Sequence, residues 1–191
     1  MIQAQPTYSA HHSNTELVNR LCLQYPKHSS PDILLVNIAQ QTLYHLQHKQ
    51  LCERYIISSA ENGVGNQNGS GQTPLGAHCI QQKIGTDAAA DSIFKGRQNT
   101  GQTANRLTQA KQRSCADYIT SRILWLSGLE AGYNQGGAVD SYQRYIYIHG
   151  TDEEGRLGQA VSHGCIRMAN QDVIALYQAI QINTLVYIYV D

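Results

Sequence analysis

The chain has 191 residues, which is enough for one substantial hydrophobic core and too few for several large domains. Its 14 Lys and Arg residues balance its 14 Asp and Glu residues, so it offers no basic field for a nucleic acid or an anionic membrane. No apolar run is long enough to cross a bilayer. The composition therefore argues against nucleic-acid and membrane partners.

The N-terminus and the cysteines predict a cytoplasmic protein. Residues 1–7 have neither the positive segment nor the apolar segment of an export signal. The five cysteines are an odd number without framework spacing, so they cannot all pair within the chain. A reducing compartment fits this cysteine usage best.

An N-terminal extension, residues 1–32, precedes the main domain at 33–191. Residues 1–14 are polar. Within 15–25 the apolar side chains recur at helical spacing and stop before Pro26, which predicts a short helix lying across the main domain. The spaced apolar residues are Leu17, Val18, Leu21 and Tyr25.

Strand-forming runs dominate the rest of the chain. Three short β-prone runs at 33–39, 43–46 and 52–59, separated by polar turns, predict an antiparallel meander. Further strand candidates lie at 119–126 and 184–190. These runs predict a mainly β domain with peripheral helices.

Polar and glycine-rich segments connect the strands. Residues 62–72 lack the Gly-Lys-Ser/Thr ending of a phosphate loop, so we interpret them as a flexible connection. Thr-Pro-Leu-Gly at 73–76 predicts a turn into the next strand. Residues 85–112 are polar and weakly patterned, which indicates an insertion that covers or flanks a cleft. Residues 128–140 predict a loop near that cleft.

Two segments carry candidate chemistry. Residues 145–149 alternate aromatic and aliphatic side chains, which predicts a buried strand with His149 at its C-terminal edge. After a polar loop the chain reaches Ser-His-Gly-Cys at 162–165, and Asn170 is a candidate N-cap for a helix over 172–180. The cysteine is thereby predicted on a loop ahead of a helix, a position compatible with a lowered thiol pKa.

Cys165 is the candidate nucleophile. A cysteine that attacks a carbonyl needs a base for its proton, a glycine that permits a tight turn, and N–H groups for the oxyanion. Gly164 supplies the turn, and the N–H groups of Gly164 and Cys165 are candidate oxyanion donors. His149 and His163 are candidate bases between which sequence proximity does not decide. The remaining cysteines, at 22, 52, 79 and 115, have no such neighbourhood, so inert packing is expected.

Zinc binding is the main competing interpretation of this cluster. His149, His163 and Cys165 could supply three ligands. Structural zinc sites usually contain compact Cys-x-x-Cys pairs, which the chain lacks. We therefore expect no metal.

Arg167 has two candidate roles. Its planar guanidinium suits a substrate carboxylate, which it can hold with two hydrogen bonds. Alternatively it forms a structural ion pair with Asp140 or Asp172. Further cleft candidates, for which ordinary loop roles are favoured, are Tyr133, Asn134 and Ser141.

Ile-His-Gly-Thr at 148–151 and Ser-His-Gly-Cys-Ile-Arg-Met at 162–168 resemble the L,D-transpeptidase (YkuD-type) catalytic domain family. Members of that family carry a histidine on a strand, followed after a short loop by Ser/Thr-His-Gly-Cys. The turn at 73–76 also fits the family. The resemblance covers roughly residues 33–191 and implies a YkuD-like β-sandwich or barrel.

The resemblance also implies residue roles. His149 would pair with the thiol of Cys165, and the backbone carbonyl of Gly150 would hold its other ring nitrogen. His163 would shape the cysteine loop and, with Ser162, is a candidate substrate contact. No cofactor is implied.

Members of the family act on peptidoglycan stem peptides, at the amide between diaminopimelate and a terminal D-alanine, and carbapenems are possible covalent inhibitors. The resemblance and the lack of an export signal lead us to expect a cytoplasmic L,D-carboxypeptidase of peptidoglycan recycling that acts through a Cys165 thioester. One alternative is an L,D-transpeptidase that forms cross-links or exchanges D-amino acids. Another is a catalytically silent muropeptide-binding module.

Overall fold

The computed structural model describes residues 9–29 and 31–191. The expectation that no export signal is present concerns residues 1–7, which lie outside the described residues. Neither helix in the described part of the chain combines the length and the hydropathy that crossing a bilayer requires.

The described residues form two helices, α1 (Ser9–Gln24) and α2 (Asn170–Ala179), and ten strands. The strands are β1 (Asp32–Asn37), β2 (Thr42–Gln47), β3 (Gln50–Ser58), β4 (Gly76–Ile84), β5 (Ser92–Lys95), β6 (Gln98–Thr103), β7 (Ile119–Gly128), β8 (Tyr147–Thr151), β9 (Ile166–Met168) and β10 (Leu185–Tyr189). Short 3₁₀ turns lie at Gly137–Val139 and Glu154–Arg156.

Most of the strands close into a barrel. Their order around it is β4, β10, β1, β2, β3, β9, β8 and β7, and β7 pairs with β4 to complete the ring. The β1–β10 and β8–β9 pairs are parallel. Closure pairs the strand edges that an open sheet would leave free. The prediction of a mainly β sandwich or barrel with peripheral helices is confirmed.

Strand β1 shows how both faces of this sheet become apolar. Its residues 32–37 are all buried, and alternate side chains point to opposite faces. Leu34 and Val36 join the largest core cluster, which includes residues of α2. Ile33 and Leu35 pack instead against Val18 and Leu21 of α1. The helix predicted at 15–25 is therefore present, lies against the barrel and starts earlier than predicted.

The polar segment at 85–112 contains a hairpin, which its sequence did not predict. Strand β6 is exposed along its whole length and consists of polar residues and glycine, so it lacks the apolar alternation by which strands are recognised. Lys95 pairs with Gln98 across a two-residue turn, and Gly96 and Arg97 in that turn both have positive φ. This backbone is typical of the tight turns that match the twist of hairpins. The hairpin extends the edge of β7 through β5.

The strand that carries His149 is shifted relative to the prediction. It runs from Tyr147 to Thr151, so His149 lies at its centre and not at its end. The chain turns at Tyr145, where φ is 57°, before the strand starts. Gly150 remains in the strand because it pairs with Thr120 of β7.

The predicted role of Asn170 as a helix N-cap is wrong. Helix α2 starts at Asn170 itself, and the N-cap position is Ala169, which has no capping side chain. The Glu154 carboxylate accepts the backbone N–H of Asn170 at 2.8 Å and so caps the helix from another segment. Short strand β9 also separates Cys165 from the helix, so the cysteine does not lie directly ahead of the helix as predicted.

Candidate active site

Cys165 lies directly before β9, which pairs with the neighbouring strand β8. Its sulfur accepts the backbone N–H of Tyr147 at 3.4 Å, and its S–H donates to the carbonyl of Tyr145 at 3.4 Å. The side chain is half-buried and packs against a cluster that includes Phe94 and Trp125. The thiol is therefore fixed by the backbone on both sides of the turn that leads into β8.

His149 is held in the tautomer that a general base requires. It is 3% exposed, and its Nδ1 lies 2.7 Å from the backbone carbonyl of Gly150. A carbonyl only accepts hydrogen bonds, so Nδ1 carries the proton and Nε2 is left unprotonated. The contact that the family resemblance implied for Gly150 is present in the structure.

The parallel pairing of β8 and β9 places the two candidate side chains on adjacent segments of the sheet. His149 is in register with Arg167, two residues after Cys165, so alternate positions on one face carry the thiol and the guanidinium. His149 and Cys165 line one cavity of about 190 Å³. The complete lining is Asp117, Ile119, His149, Ser162, His163, Cys165 and Arg167.

Gly150 is required at its position by close packing. A Cβ there would lie 2.6 Å from Oδ1 of Asn170 and 2.7 Å from the carbonyl oxygen of Thr120. Oδ1 of Asn170 in turn accepts the hydroxyl of Thr120 at 2.6 Å. The glycine therefore lets β7, β8 and the start of α2 meet directly behind the catalytic histidine candidate.

The loop before Cys165 is held by hydroxyl groups. Gly164 has φ of +134°, a conformation that side chains rarely adopt, so glycine is needed there. The hydroxyl of Thr73 donates to the Gly164 carbonyl at 3.0 Å, which ties the predicted Thr-Pro turn to the cysteine loop. The hydroxyl of Ser162 donates to the Cys165 carbonyl at 2.5 Å and accepts the N–H of Gly164 at 3.3 Å.

Ser162 stabilises the cysteine loop, and its predicted contact with substrate stays a prediction. Its residue is 2% exposed, and its hydroxyl is bonded within the loop, although it also lines the cavity. In this resting state the N–H of Gly164 is bonded to Ser162, so an oxyanion would have to compete for that donor.

Arg167 is held by acidic residues, but not by those predicted. Its Nη1 donates to Oε2 of Glu153 at 2.8 Å, and its Nη2 lies 2.6 Å from Oδ1 of Asp117. Arg167 is 2% exposed. The predicted partners Asp140 and Asp172 were wrong. Both observed partners are carboxylates, so the guanidinium is already neutralised where a substrate carboxylate would have to bind.

His163 lies on the solvent side of this network. Its Nδ1 is 2.7 Å from Oδ2 of Asp117, and its side chain is 82% exposed. Asp117 therefore bridges Arg167 and His163. This places His163 at the rim of the cavity, while His149 lies at its floor.

Asp117 and Glu153 are the site residues that sequence reasoning missed. Asp117 lies in a polar stretch without periodicity, just before β7, and Glu153 lies in the loop after β8. One signal could have indicated them: Arg167 falls between two apolar residues of a strand, and a buried guanidinium needs carboxylate partners. The sequence does not specify which carboxylates those are.

Burial sets the protonation of the reacting pair. Burial lowers the pKa of His149 to about 4, although the Gly150 carbonyl favours the charged ring. Burial likewise raises the pKa of the Cys165 thiol to about 11, against the influence of the Tyr147 N–H. The expectation of a lowered thiol pKa is therefore not met. At neutral pH the site holds a neutral thiol beside a neutral imidazole.

The secondary cleft candidates lie away from this cavity. Asn134 is fully buried and binds the carbonyls of Leu75 and Ala77, while Ser141 is fully buried against His78. Across the described residues there is no group of three or more His, Cys, Asp or Glu side chains arranged to hold a metal ion.

Comparison with known proteins identifies the family. A profile of the L,D-transpeptidase catalytic domain family, YkuD, matches residues 31–188. Two Bacillus subtilis proteins named as candidate L,D-transpeptidases, YqjB and YkuD, are 50% and 46% identical over 48 residues. Those alignments span 27% and 29% of the two relatives.

Solved structures show the same fold. The L,D-transpeptidase LdtMt1 in complex with imipenem is 14% identical with a TM-score of 0.51, covering 83% of this chain and 59% of that one. L,D-transpeptidase 3 from Mycobacterium tuberculosis, which carries a faropenem-derived adduct, is 14% identical with a TM-score of 0.50, covering 83% and 60%. The chain therefore belongs to the L,D-transpeptidase catalytic domain family, as its motifs predicted.

Proposed function

We propose that the protein is a cytoplasmic L,D-carboxypeptidase of peptidoglycan recycling that removes the terminal D-alanine from muropeptide tetrapeptides. Membership of a cysteine-nucleophile acyltransferase family supports the thioester chemistry. The observation that we take to favour hydrolysis is the small size, about 190 Å³, of the cavity that His149 and Cys165 both line. Drug-sized ligands occupy pockets of roughly 300–1,000 Å³. We infer that this cavity holds the scissile end of one peptide and a water molecule, while the rest of the peptide lies outside it.

The first half of the reaction forms a thioester. The sulfur of Cys165 attacks the carbonyl between diaminopimelate and D-alanine while Nε2 of His149 takes the thiol proton. The C–S bond forms, and the C–N bond breaks as the imidazolium gives its proton to the departing amine of D-alanine. Because both groups start neutral, no ion pair has to exist beforehand in the buried site.

The second half releases the tripeptide. Water attacks the thioester carbon and gives a proton to Nε2 of His149, and that proton returns to the sulfur of Cys165 as the C–S bond breaks. Backbone N–H groups must hold the oxyanion in both halves, and each such donor typically contributes about 3 kcal/mol of barrier lowering. The bond between Gly164 and Ser162 is long at 3.3 Å, so an oxyanion can displace it.

The compartment is part of this proposal. All five cysteines are free in the structure, which a reducing compartment would maintain. The substrate class and covalent inhibition by carbapenems are proposed from the family and from the imipenem complex of the relative described above.

A mass-spectrometric time course tests the function. Purified protein is incubated with a diaminopimelate-containing tetrapeptide, with and without excess D-amino acid, beside Cys165→Ala. We expect loss of D-alanine alone in the parent and no reaction in the variant. Exchange of D-alanine for the added amino acid would indicate a transpeptidase. An intact tetrapeptide together with failure of a carbapenem to acylate Cys165 would indicate a silent binding module.

A further inference from the structure

Arg97 lies in the β5–β6 turn, where its backbone has a positive φ. Its φ is 68°, in the left-handed region where glycine, asparagine and aspartate are favoured. This φ is the one that the two-residue hairpin turn requires, and it directs the Arg97 side chain from the tip of the hairpin.

The guanidinium lies on aromatic rings. Its Cζ is 4.8 Å from the ring centre of Trp125 and 4.9 Å from that of Tyr145. Its Nη1 donates to the hydroxyl of Tyr147 at 3.3 Å. These contacts fix the plane of the group by cation–π attraction and leave most of its N–H donors unused.

No carboxylate lies within ion-pair distance of Arg97 among residues 9–29 and 31–191. Arg106, Arg156 and Arg167 are each paired with an acidic side chain. Arg144 donates to the backbone carbonyls of Gly65 and Gln72. Arg97 differs from these four because, among the described residues, neither a carboxylate nor a backbone carbonyl accepts from it and its one hydrogen-bond partner is the Tyr147 hydroxyl.

The rings that hold Arg97 belong to the residues that hold the nucleophile. The backbone N–H of Tyr147 and the carbonyl of Tyr145 both contact the sulfur of Cys165 at 3.4 Å. Arg97 does not line the cavity that contains His149, so the surface it shares with Tyr145 lies outside that cavity. Tyr145 is 49% exposed, and this surface is therefore open to a ligand.

We propose that Arg97 binds a carboxylate of the peptide substrate, an inference that rests on the proposed function and names the specificity of its site. A guanidinium fork matches a carboxylate with two hydrogen bonds. Two carboxylates flank the scissile amide of a tetrapeptide: that of the terminal D-alanine and that of the D-centre of diaminopimelate. Arg167 is taken up by Asp117 and Glu153, and Arg144 by the carbonyls of Gly65 and Gln72, whereas Arg97 keeps most of its donors free for this contact.

Amidated substrates test the contact. The kcat/KM values of parent, Arg97→Gln and Arg54→Gln are compared on the free tetrapeptide, its C-terminal amide and its D-centre amide. Arg54 is an exposed arginine on β3 and serves as the matched control. A charged hydrogen bond is worth about 10- to 100-fold, so we expect Arg97→Gln to lose that much on the free tetrapeptide. Arg54→Gln should stay within about twofold.

The two amides distinguish the source of the carboxylate. The parent should show a lower kcat/KM for the amide that lacks the bound carboxylate than for the free tetrapeptide. In Arg97→Gln these two values should be equal. The ratio of kcat/KM for the other amide to that for the free tetrapeptide should be the same in parent and variant. Equal losses by Arg97→Gln on all three peptides would overturn the proposal, because they would indicate a structural role.

Alkylation of Cys165 separates this inference from the proposed function. The rate with iodoacetate is divided by the rate with iodoacetamide, which is the neutral counterpart, and both are measured on the peptide that contains Cys165. We expect the ratio to fall several-fold in Arg97→Gln and to stay constant in Arg54→Gln. If the parent leaves the tetrapeptide intact, the proposed function fails, and the alkylation ratio is then the test of carboxylate binding by Arg97. An unchanged ratio in Arg97→Gln then overturns the role of Arg97.

Discussion

At the residue scale, burial keeps the candidate pair neutral, with His149 almost fully buried and Cys165 half-buried. The pKa of His149 falls to about 4 and that of Cys165 rises to about 11, each chiefly through burial. In the proposed mechanism, proton transfer to His149 therefore accompanies attack by the sulfur. The hydrogen bond from Nδ1 to the Gly150 carbonyl fixes the tautomer that can accept this proton.

Replacing the two histidines of the site should have unequal effects. General-base catalysis contributes typically 10²- to 10⁴-fold, so we expect His149→Gln to lower kcat/KM for tetrapeptide by that order. His163 is exposed and its ion pair with Asp117 is screened by water, so His163→Gln should lower kcat/KM at most about fivefold. Steady-state kinetics of both variants checks this. A larger loss of kcat/KM for His163→Gln than for His149→Gln would show that His163 is the general base.

The pH dependence of turnover follows from the same burial. Protonation of His149 removes the base only near pH 4, well below the ordinary histidine value of about 6.5. We therefore expect kcat/KM to stay level between about pH 5.5 and 8. Measurement across this range, with buffers of constant ionic strength, checks the expectation. An acid limb with a midpoint near 6.5 would show that the imidazole is solvated in the working enzyme.

The sequence predicted these residues to different degrees. Cys165 and His149 could be selected because their motifs place a thiol, a glycine and a strand-borne histidine in one pattern. The partners of Arg167 could not, because ion pairing depends on which loops the barrel brings together. Asp117 is 50 residues away from it in the sequence, and nothing in the local pattern marks that carboxylate.

At the element scale, Asn170 joins the start of α2 to two strands. Its Oδ1 accepts the hydroxyls of Thr120 and Ser121, and its Nδ2 donates to the Thr151 carbonyl at 2.8 Å and to Glu154 at 2.7 Å. An asparagine before a helix predicts a cap, which is why the sequence suggested that role. The side chain instead serves the β7–β8 junction behind His149.

Removing that side chain should destabilise the fold. Asn170→Ala leaves several buried polar groups without partners, so we expect the free energy of unfolding to fall by about 2–4 kcal/mol. Gln171→Ala, an exposed position on the same helix, should change it by less than about 0.5 kcal/mol. Urea denaturation of both variants measures the difference. Equal stability of the two variants would contradict the anchoring role.

At the scale of the whole molecule, barrel closure buries two histidines in neutral form. His149 and His78 are 3% and 0% exposed, and burial lowers the pKa of each to about 4. Between pH 6.5 and 4 the unfolded chain binds protons at these positions and the folded chain does not. Stability is therefore present above pH 6.5 and is lost as the pH falls toward 4.

Acid should consequently weaken the barrel. We expect these two histidines to remove about 2–3 kcal/mol each from the free energy of unfolding between pH 6.5 and 4, by linkage at about 1.4 kcal/mol per pKa unit. Urea denaturation at pH 7, 6, 5 and 4.5 measures the slope, and His78→Gln should reduce it. A free energy of unfolding that stays constant from pH 7 to 5 would contradict the burial of neutral histidines.

The most direct test of the central claim is the reaction of the parent protein with tetrapeptide in ¹⁸O-labelled water containing excess D-amino acid. If Cys165 forms a thioester that water resolves, the tripeptide should carry one ¹⁸O atom in its new carboxylate, free D-alanine should appear in equal amount, and Cys165→Ala should produce neither. A product that contains the added D-amino acid, without labelled tripeptide, would contradict hydrolysis and would show that the thioester reacts with amines instead.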